Sequence, residues 1–219
     1  MLPKEKMSKQ SELVIDQNLM NEVRNPGFDQ RSGINIIARP SVAIRDRIIS
    51  IQNGLRVIEP DQYYYPSFDL HLTLLEICSG TESNQANRIF EKIGHLIPGI
   101  FQALTSPRIE HPSLRFDNQA GVIVFQQVGA LNEVRQDLSK RLVNYGIDVA
   151  PRYATSSAHI TFMRYLKQLS GNSAQLETAA QILGAWQLDE LWLTCGANWY
   201  GMKSRIKEIG PFKIGNASL

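Results

Sequence analysis

Asp69-Leu70-His71-Leu72-Thr73-Leu74-Leu75 reads as a β-strand, and Ser157-Ala158-His159-Ile160-Thr161-Phe162-Met163 reads as the same strand written a second time. Side chains of a strand alternate between faces, so His71 and Thr73 share one face while Leu70, Leu72 and Leu74 share the other. The same parity sets His159 and Thr161 against Ile160 and Phe162. A lone histidine on an apolar strand is commonly a hydrogen-bonded core residue. Two copies of His-x-Thr in matched strands turn the reading towards a shared function, because only four histidines occur in 219 residues. His95, in a helical stretch, and His111, before Pro112, lack that context and read as structural.

Around these strands the rest of the chain falls into alternating elements. Residues 34–38 form an apolar run closed by Pro40, and Ser41 opens a helix with apolar spacing at Ile44, Ile48, Ile49 and Leu55. Residues 61–67, with Tyr63, Tyr64, Tyr65 and Pro66, read as a loop feeding the first motif strand at 70–77. A helix over 83–104 and a strand pair at 113–116 and 121–128 come next, the strands joined by the turn Asp117-Asn118-Gln119. Leu131, Val134, Leu138, Leu142 and Val143 mark a helix ending near Gly146. Beyond it lie the second motif strand at 159–163, a helix at 176–183, and terminal strands at 190–195 and 199–206 turning at Gly196 and Asn198. The polar residues 1–11 precede an accessory helix, which Leu13, Val14, Asn18, Leu19 and Val23 outline and Asn25-Pro26-Gly27 ends. Each half therefore carries a motif strand, a helix and two paired strands, the pattern of a diverged duplication without an exact repeat.

Composition fits a packed, soluble protein: 43% of residues are hydrophobic, 20% are charged, and the net charge is +2. Basic residues gather locally, at Lys140, Arg141, Arg152, Arg164 and Lys167 and again at Lys203, Arg205, Lys207 and Lys213, where they can flank an anionic substrate. Cys78 and Cys195 sit in or beside apolar runs and read as buried thiols, not a disulfide framework. No signal-peptide core and no run of about 18 apolar residues is present, so a cytoplasmic protein without a membrane span is expected.

If the two halves pack about a pseudo-twofold axis, both motif faces converge on one cleft. Displacement at phosphorus needs a base for the nucleophile and an acid for the leaving oxygen, on opposite sides for an in-line path. Imidazole, with an unperturbed pKa of about 6.5, suits either role. The Thr73 and Thr161 hydroxyls can donate to the non-bridging oxygens. No metal or cofactor is required: two histidines and two threonines make a poor zinc set, and no acidic cluster suggests magnesium.

Paired His-x-Thr motifs in a chain of this size resemble the two-histidine (2H) phosphoesterase superfamily, and within it the RNA-ligase-like cyclic phosphodiesterases. The resemblance runs from about Ile34 to Phe212 and leaves residues 1–33 as an N-terminal extension, with 34–219 as a two-lobed domain. It implies an α+β, bilobal duplicated fold, with two antiparallel-sheet lobes and flanking helices around a central cleft. It also implies metal-independent opening of a 2′,3′-cyclic phosphate or a related nucleotide or RNA phosphodiester. Carried over by position, His71 and His159 are the catalytic acid/base pair, and Thr73 and Thr161 bind the phosphate. Arg164, closing His-Ile-Thr-Phe-Met-Arg, matches a basic residue common in the family. Strict strand parity puts it on the face opposite His159 unless the strand ends or twists there. Glu76 stands at the equivalent place in the first motif.

Tyr63 to Tyr65, Trp199 and Tyr200 are aromatic surfaces on which a base can stack, with Tyr200 a further substrate-binding candidate. The expected partner is a nucleotide or RNA end met by a monomer. Which histidine is the base stays open. The same four residues would serve 2′-5′ RNA ligation in the reverse direction, and a non-catalytic RNA- or nucleotide-binding module is the reading from another class.

Overall fold

The computed structural model describes residues 13–152, 157–170, 183–196, 202 and 206–215. Its elements in chain order are α1 (Gln17–Arg24), β1 (Ser32–Ala38), α2 (Val42–Ile58), β2 (Tyr63–Tyr64), β3 (Leu72–Thr81), α3 (Ser83–Gln102), β4 (Arg108–Phe116) and β5 (Ala120–Gln127). They continue with α4 (Gly129–Asn144), β6 (Ala158–Arg164), β7 (Trp186–Gln187), β8 (Glu190–Gly196) and β9 (Ile206–Lys213).

All described strands pair antiparallel in the order β7-β4-β5-β6-β3-β1-β8-β9, with β2 added beside β6. The curled sheet divides into two lobes at its middle, where β3 and β6 share a single residue pair, Leu72 with Ile160. Past that pair β3 leaves β6, and β2 takes the vacated edge through Tyr63–Arg164 and Tyr64–Met163 pairs and a 3.0 Å bond from Tyr65 N to Phe162 O.

The lobes are not the two halves of the sequence. The β4–β5 hairpin, which comes after the first motif, pairs with the second motif strand β6. The β8–β9 hairpin, which comes after the second motif, reaches the first motif strand through β1. The duplicated halves are thus exchanged across the seam, so neither motif strand has a complete sheet without the other half.

Helices cover the face opposite the motif side chains. Helix α3 lies over β1, β8 and β9, α4 meets β3 and β4, and α2 meets β6. Between them Ile34, Ile36, Leu72, Leu74, Ile160, Phe162 and Met163 are fully buried. Ser41 caps α2 by accepting from Ile44 N, and Asp16 caps α1 by accepting from Leu19 N. Leu19 of α1 packs with Met202, Tyr63 and Leu166, and the Glu22 carboxylate accepts from Gly27 N and Asp29 N to hold the turn beyond the helix.

Several expectations need correction. Residues 63–64 form a strand, because its partners lie far away on β6, where no local pattern could reveal them. The first motif strand begins at Leu72, leaving His71 just before it. The last described strand is β9 at Ile206–Lys213, and the expected strand at 199–206 lies, but for its final residue and Met202, outside the described residues; β9 runs through Pro211, tolerated because β9 ends the sheet order and pairs on one side only among the described residues. Helix α1 begins at Gln17, with Leu13 and Val14 ahead of it. The expected helix at 176–183 and the turn at Asn198 lie outside the described residues.

Candidate active site

The Leu72–Ile160 pair joins the middle residues of the two motifs. In an antiparallel register the neighbours of a pair are also opposed, so His71 stands across from Thr161 and Thr73 across from His159, all four on one face. The two histidines occupy diagonal positions, which in a regular ladder lie roughly 7–8 Å apart, enough room for a small group between the rings. Leu72 and Ile160 are fully buried, whereas His71, Thr73 and Thr161 are half-buried and His159 is exposed, which places the motif face on the open side.

Both motif strands depart from simple alternation at the same place. Ile37 pairs with Thr73 and Ile36 with Leu75, leaving Leu74 as an extra residue. Val122 pairs with Thr161 and Gly121 with Met163, leaving Phe162 extra. Each is a β-bulge directly after the threonine. It turns two consecutive side chains into the core, Leu74 with Leu75 and Phe162 with Met163, and resets the parity of the residues beyond it. Glu76, opposite Asn35, and Arg164, opposite Ala120, therefore return to the motif face. The strand breaks alternation before Arg164, so the opposite-face placement that strict parity gives does not hold. Gly121 makes the second bulge possible, since a Cβ there would sit 2.7 Å from Phe162 Cζ.

Each imidazole is tethered through Nδ1 by the residue two positions before it. His71 Nδ1 lies 2.7 Å from the Asp69 carbonyl, and His159 Nδ1 lies 3.1 Å from Ser157 Oγ. A carbonyl only accepts, so His71 donates from Nδ1 and, when neutral, carries its lone pair on Nε2. Ser157 can donate or accept, which leaves His159 free to hold a proton on either nitrogen. The His71 pKa is lowered to about 4, chiefly by burial, with the Asp69 bond opposing the shift and the Arg39, His159 and Arg164 charges adding to it. His159, though exposed as a whole residue, has a ring among packed neighbours. Desolvation first and the Arg164 charge second lower its pKa, with Asp117 opposing them. The His159 and Arg164 charges both act on His71, and the Arg164 charge acts on His159 as well.

Arg164 donates to the Tyr65 hydroxyl, which burial keeps protonated, while its buried Nε has no hydrogen-bond partner among the described residues. Arg39, at the end of β1, pairs with Glu208 and also donates to the Phe68 carbonyl. Asp69, Ser157 and Arg39 were not visible as site residues in the sequence, where only the two-residue spacing of the first two from the histidines hinted at a role; Tyr65, read there as a stacking surface, instead bonds Arg164 through its hydroxyl. Tyr200 and Trp199 lie outside the described residues. Among the described residues no group of three or more His, Cys, Asp or Glu side chains is placed to hold a metal ion. No described helix is long and apolar enough to cross a membrane.

No family model and no curated protein matches the chain. Solved structures do. TT0787 of Thermus thermophilus is similar over 84% of this chain and 99% of its own, with a TM-score of 0.54 and 13% identity. Escherichia coli LigT, solved with ATP, is similar over 85% and 99% respectively, with a TM-score of 0.51 and 14% identity. A conserved protein of unknown function from Agrobacterium tumefaciens, ATU0111, has a TM-score of 0.51 and 10% identity over 76% and 81%. The chain shares the fold of these proteins, an antiparallel two-lobed α+β sheet flanked by helices.

Proposed function

We propose that this protein is a phosphodiesterase of the two-histidine type, acting without a metal on a 2′,3′-cyclic phosphate or a related nucleotide or RNA phosphodiester. The observation that carries the reading is the mutual pairing of the two motifs. One residue pair sets two imidazoles and two hydroxyls on a single open face. The fold shared with LigT, which was solved with ATP, agrees with a nucleotide-sized ligand.

His71 is the base. Its Nδ1 is committed to the Asp69 carbonyl, and its lowered pKa keeps Nε2 unprotonated at neutral pH. His159 is the acid, the more exposed ring and the one whose Ser157 tether accepts either protonation state. Water loses a proton to His71 Nε2 and attacks phosphorus. The P–O bond to the ribose breaks on the far side, and the departing oxygen takes a proton from His159. Thr73 and Thr161 donate to the non-bridging oxygens. Arg164 supplies positive charge, and its unpartnered Nε–H, costly to leave buried, would gain an acceptor from the bound phosphate.

The test is turnover of nucleoside 2′,3′-cyclic phosphates and linear 2′-5′ dinucleotides with chelator present. We expect hydrolysis that falls by roughly 100-fold or more in both His71→Ala and His159→Ala. Activity indifferent to either substitution removes the acid/base pair, and binding without turnover favours a nucleotide-binding module.

A further inference from the structure

We propose that Arg135 and Gln52 are positioning residues that lock the bulges after the two His-x-Thr triplets and so align His71, Thr73, His159, Thr161 and Arg164 on one face. The inference rests on the phosphodiesterase reading for its kinetic consequence but not for its structural one.

A β-bulge leaves its extra residue without a ladder partner, so the carbonyl of that residue needs another donor. Both bulge carbonyls accept from a buried side chain, the Phe162 carbonyl in addition to its 3.0 Å bond from Tyr65 N just beyond β2. Arg135 of α4 donates from Nε to the Leu74 carbonyl at 2.8 Å. Gln52 of α2 donates from Nε2 to the Phe162 carbonyl at 2.8 Å. The two are 5% and 1% exposed, among the most enclosed polar groups of the described residues. The arrangement crosses the seam: α2, from the first half, holds the second motif strand, and α4, from the second half, holds the first.

Each side chain also binds a second strand. Arg135 donates to the Thr73 carbonyl at 3.2 Å, to the Ser157 carbonyl at 2.8 Å, and to Asn132 Oδ1 at 2.9 Å. It therefore bridges β3 to the segment entering β6, across a seam whose ladder has one pair. Ser157 is the residue whose hydroxyl tethers His159. Gln52 donates with its other amide hydrogen to the Tyr65 carbonyl at 2.8 Å, fixing the residue to which Arg164 is bonded. Burying a guanidinium on uncharged oxygens alone is a poor way to gain stability. A rigid fork that spans two strands is a good way to set their alignment, and a lysine's single ammonium cannot reproduce it. Neither residue reaches the open face, so neither touches a substrate bound there.

The experiment compares the parent with Gln52→Met, Arg135→Lys and Arg135→Met in three readouts: thermal unfolding, steady-state kinetics across pH, and imidazole nitrogen NMR of His71 and His159. Misplacement by about 1 Å costs up to about 100-fold in rate. We expect kcat to fall roughly 10- to 100-fold in folded Gln52→Met and Arg135→Lys, with KM within about threefold and displaced pH limbs. The imidazole spectra should lose the single Nδ1–H tautomer of His71 or move the titration of His159. A purely structural role would lower the folded fraction and leave the pH limbs and ring signals of the folded fraction unchanged, which would overturn the proposal. So would parent-like kcat in Arg135→Lys together with Gln52→Met, or failure of all three variants to fold. Should the parent turn over no phosphodiester, the functional reading falls, and the NMR comparison alone decides positioning: altered rings support it and unaltered rings overturn it.

Discussion

Replacing Gly121 by alanine tests whether the bulge in β6 is packed as described. The new methyl would meet Phe162 Cζ at 2.7 Å, Phe162 Cε2 at 3.1 Å and Met163 Cβ at 3.3 Å. Carbon atoms prefer roughly 3.5–4.0 Å, so the Phe162 ring must retreat by about 1 Å. It has little room, being fully buried and edge-on to Phe116 with centroids 6.3 Å apart. Overpacking of this kind costs about 1–3 kcal/mol, and the reduced freedom of the unfolded chain returns about 0.4–1 kcal/mol. A net loss of about 1–2 kcal/mol should lower Tm by roughly 2–8 °C in a chain of this length. Because Phe162 is the bulge residue, turnover of folded protein should fall as well, as Arg164 moves relative to His159. The control is Gly129→Ala at the start of α4, where nothing lies within 4 Å of an added Cβ and stability should hold or rise. Differential scanning calorimetry and kinetics on both variants suffice. A Gly121→Ala protein with unchanged Tm and unchanged turnover would refute the close approach and the register reasoning built on it.

The electrostatics of the site set three further outcomes. The base must be neutral and the acid protonated, so kcat/KM should be lost as pH falls through about 4, where His71 gains a proton. It should also be lost as pH rises through the pKa of His159, which lies below its ordinary value. The maximum is therefore expected on the acid side of neutrality, and a rate still climbing above about pH 8 would contradict the assignment. Arg164→Met should cost roughly 10- to 100-fold in kcat/KM, the worth of charge-assisted hydrogen bonds. It should also move the pH maximum upward, since the Arg164 charge depresses both imidazoles. Ser157→Ala, which frees the His159 ring from its 3.1 Å tether, should lower kcat by roughly 2- to 10-fold and leave KM alone.

Features that depend on short-range period were legible in the sequence. His71 with Thr73 and His159 with Thr161 share a face because two-residue alternation holds up to the threonine. The helix start at Ser41 and the end of α4 near Gly146, which takes a left-handed φ, were readable from local chemistry for the same reason. Strict parity failed at Arg164, although a sign was present. Leu74-Leu75 and Phe162-Met163 are doubled apolar residues with a charge directly after them, the signature of a bulge in a strand with one open face. Gln52 and Arg135 were hidden within apolar helical faces, beside Ile48, Ile51 and Leu55 in one case and Leu131, Val134 and Leu138 in the other. A polar residue at a core position of an amphipathic helix signals a buried partner. Which carbonyl it meets depends on strand pairing across the seam, and no local window contains that. The exchange of hairpins between lobes was out of reach for the same reason: the motif and the element order are compatible with either arrangement.

In the proposed mechanism His71 and His159 face one phosphate from two sides. This placement is tested most directly by titrating the protein with inorganic phosphate while following both imidazoles by NMR. An anion bound between them favours the charged form of each ring, so both pKa values should rise together, saturating with one Kd. A response from only one histidine, or two responses with different Kd values, would contradict a shared site.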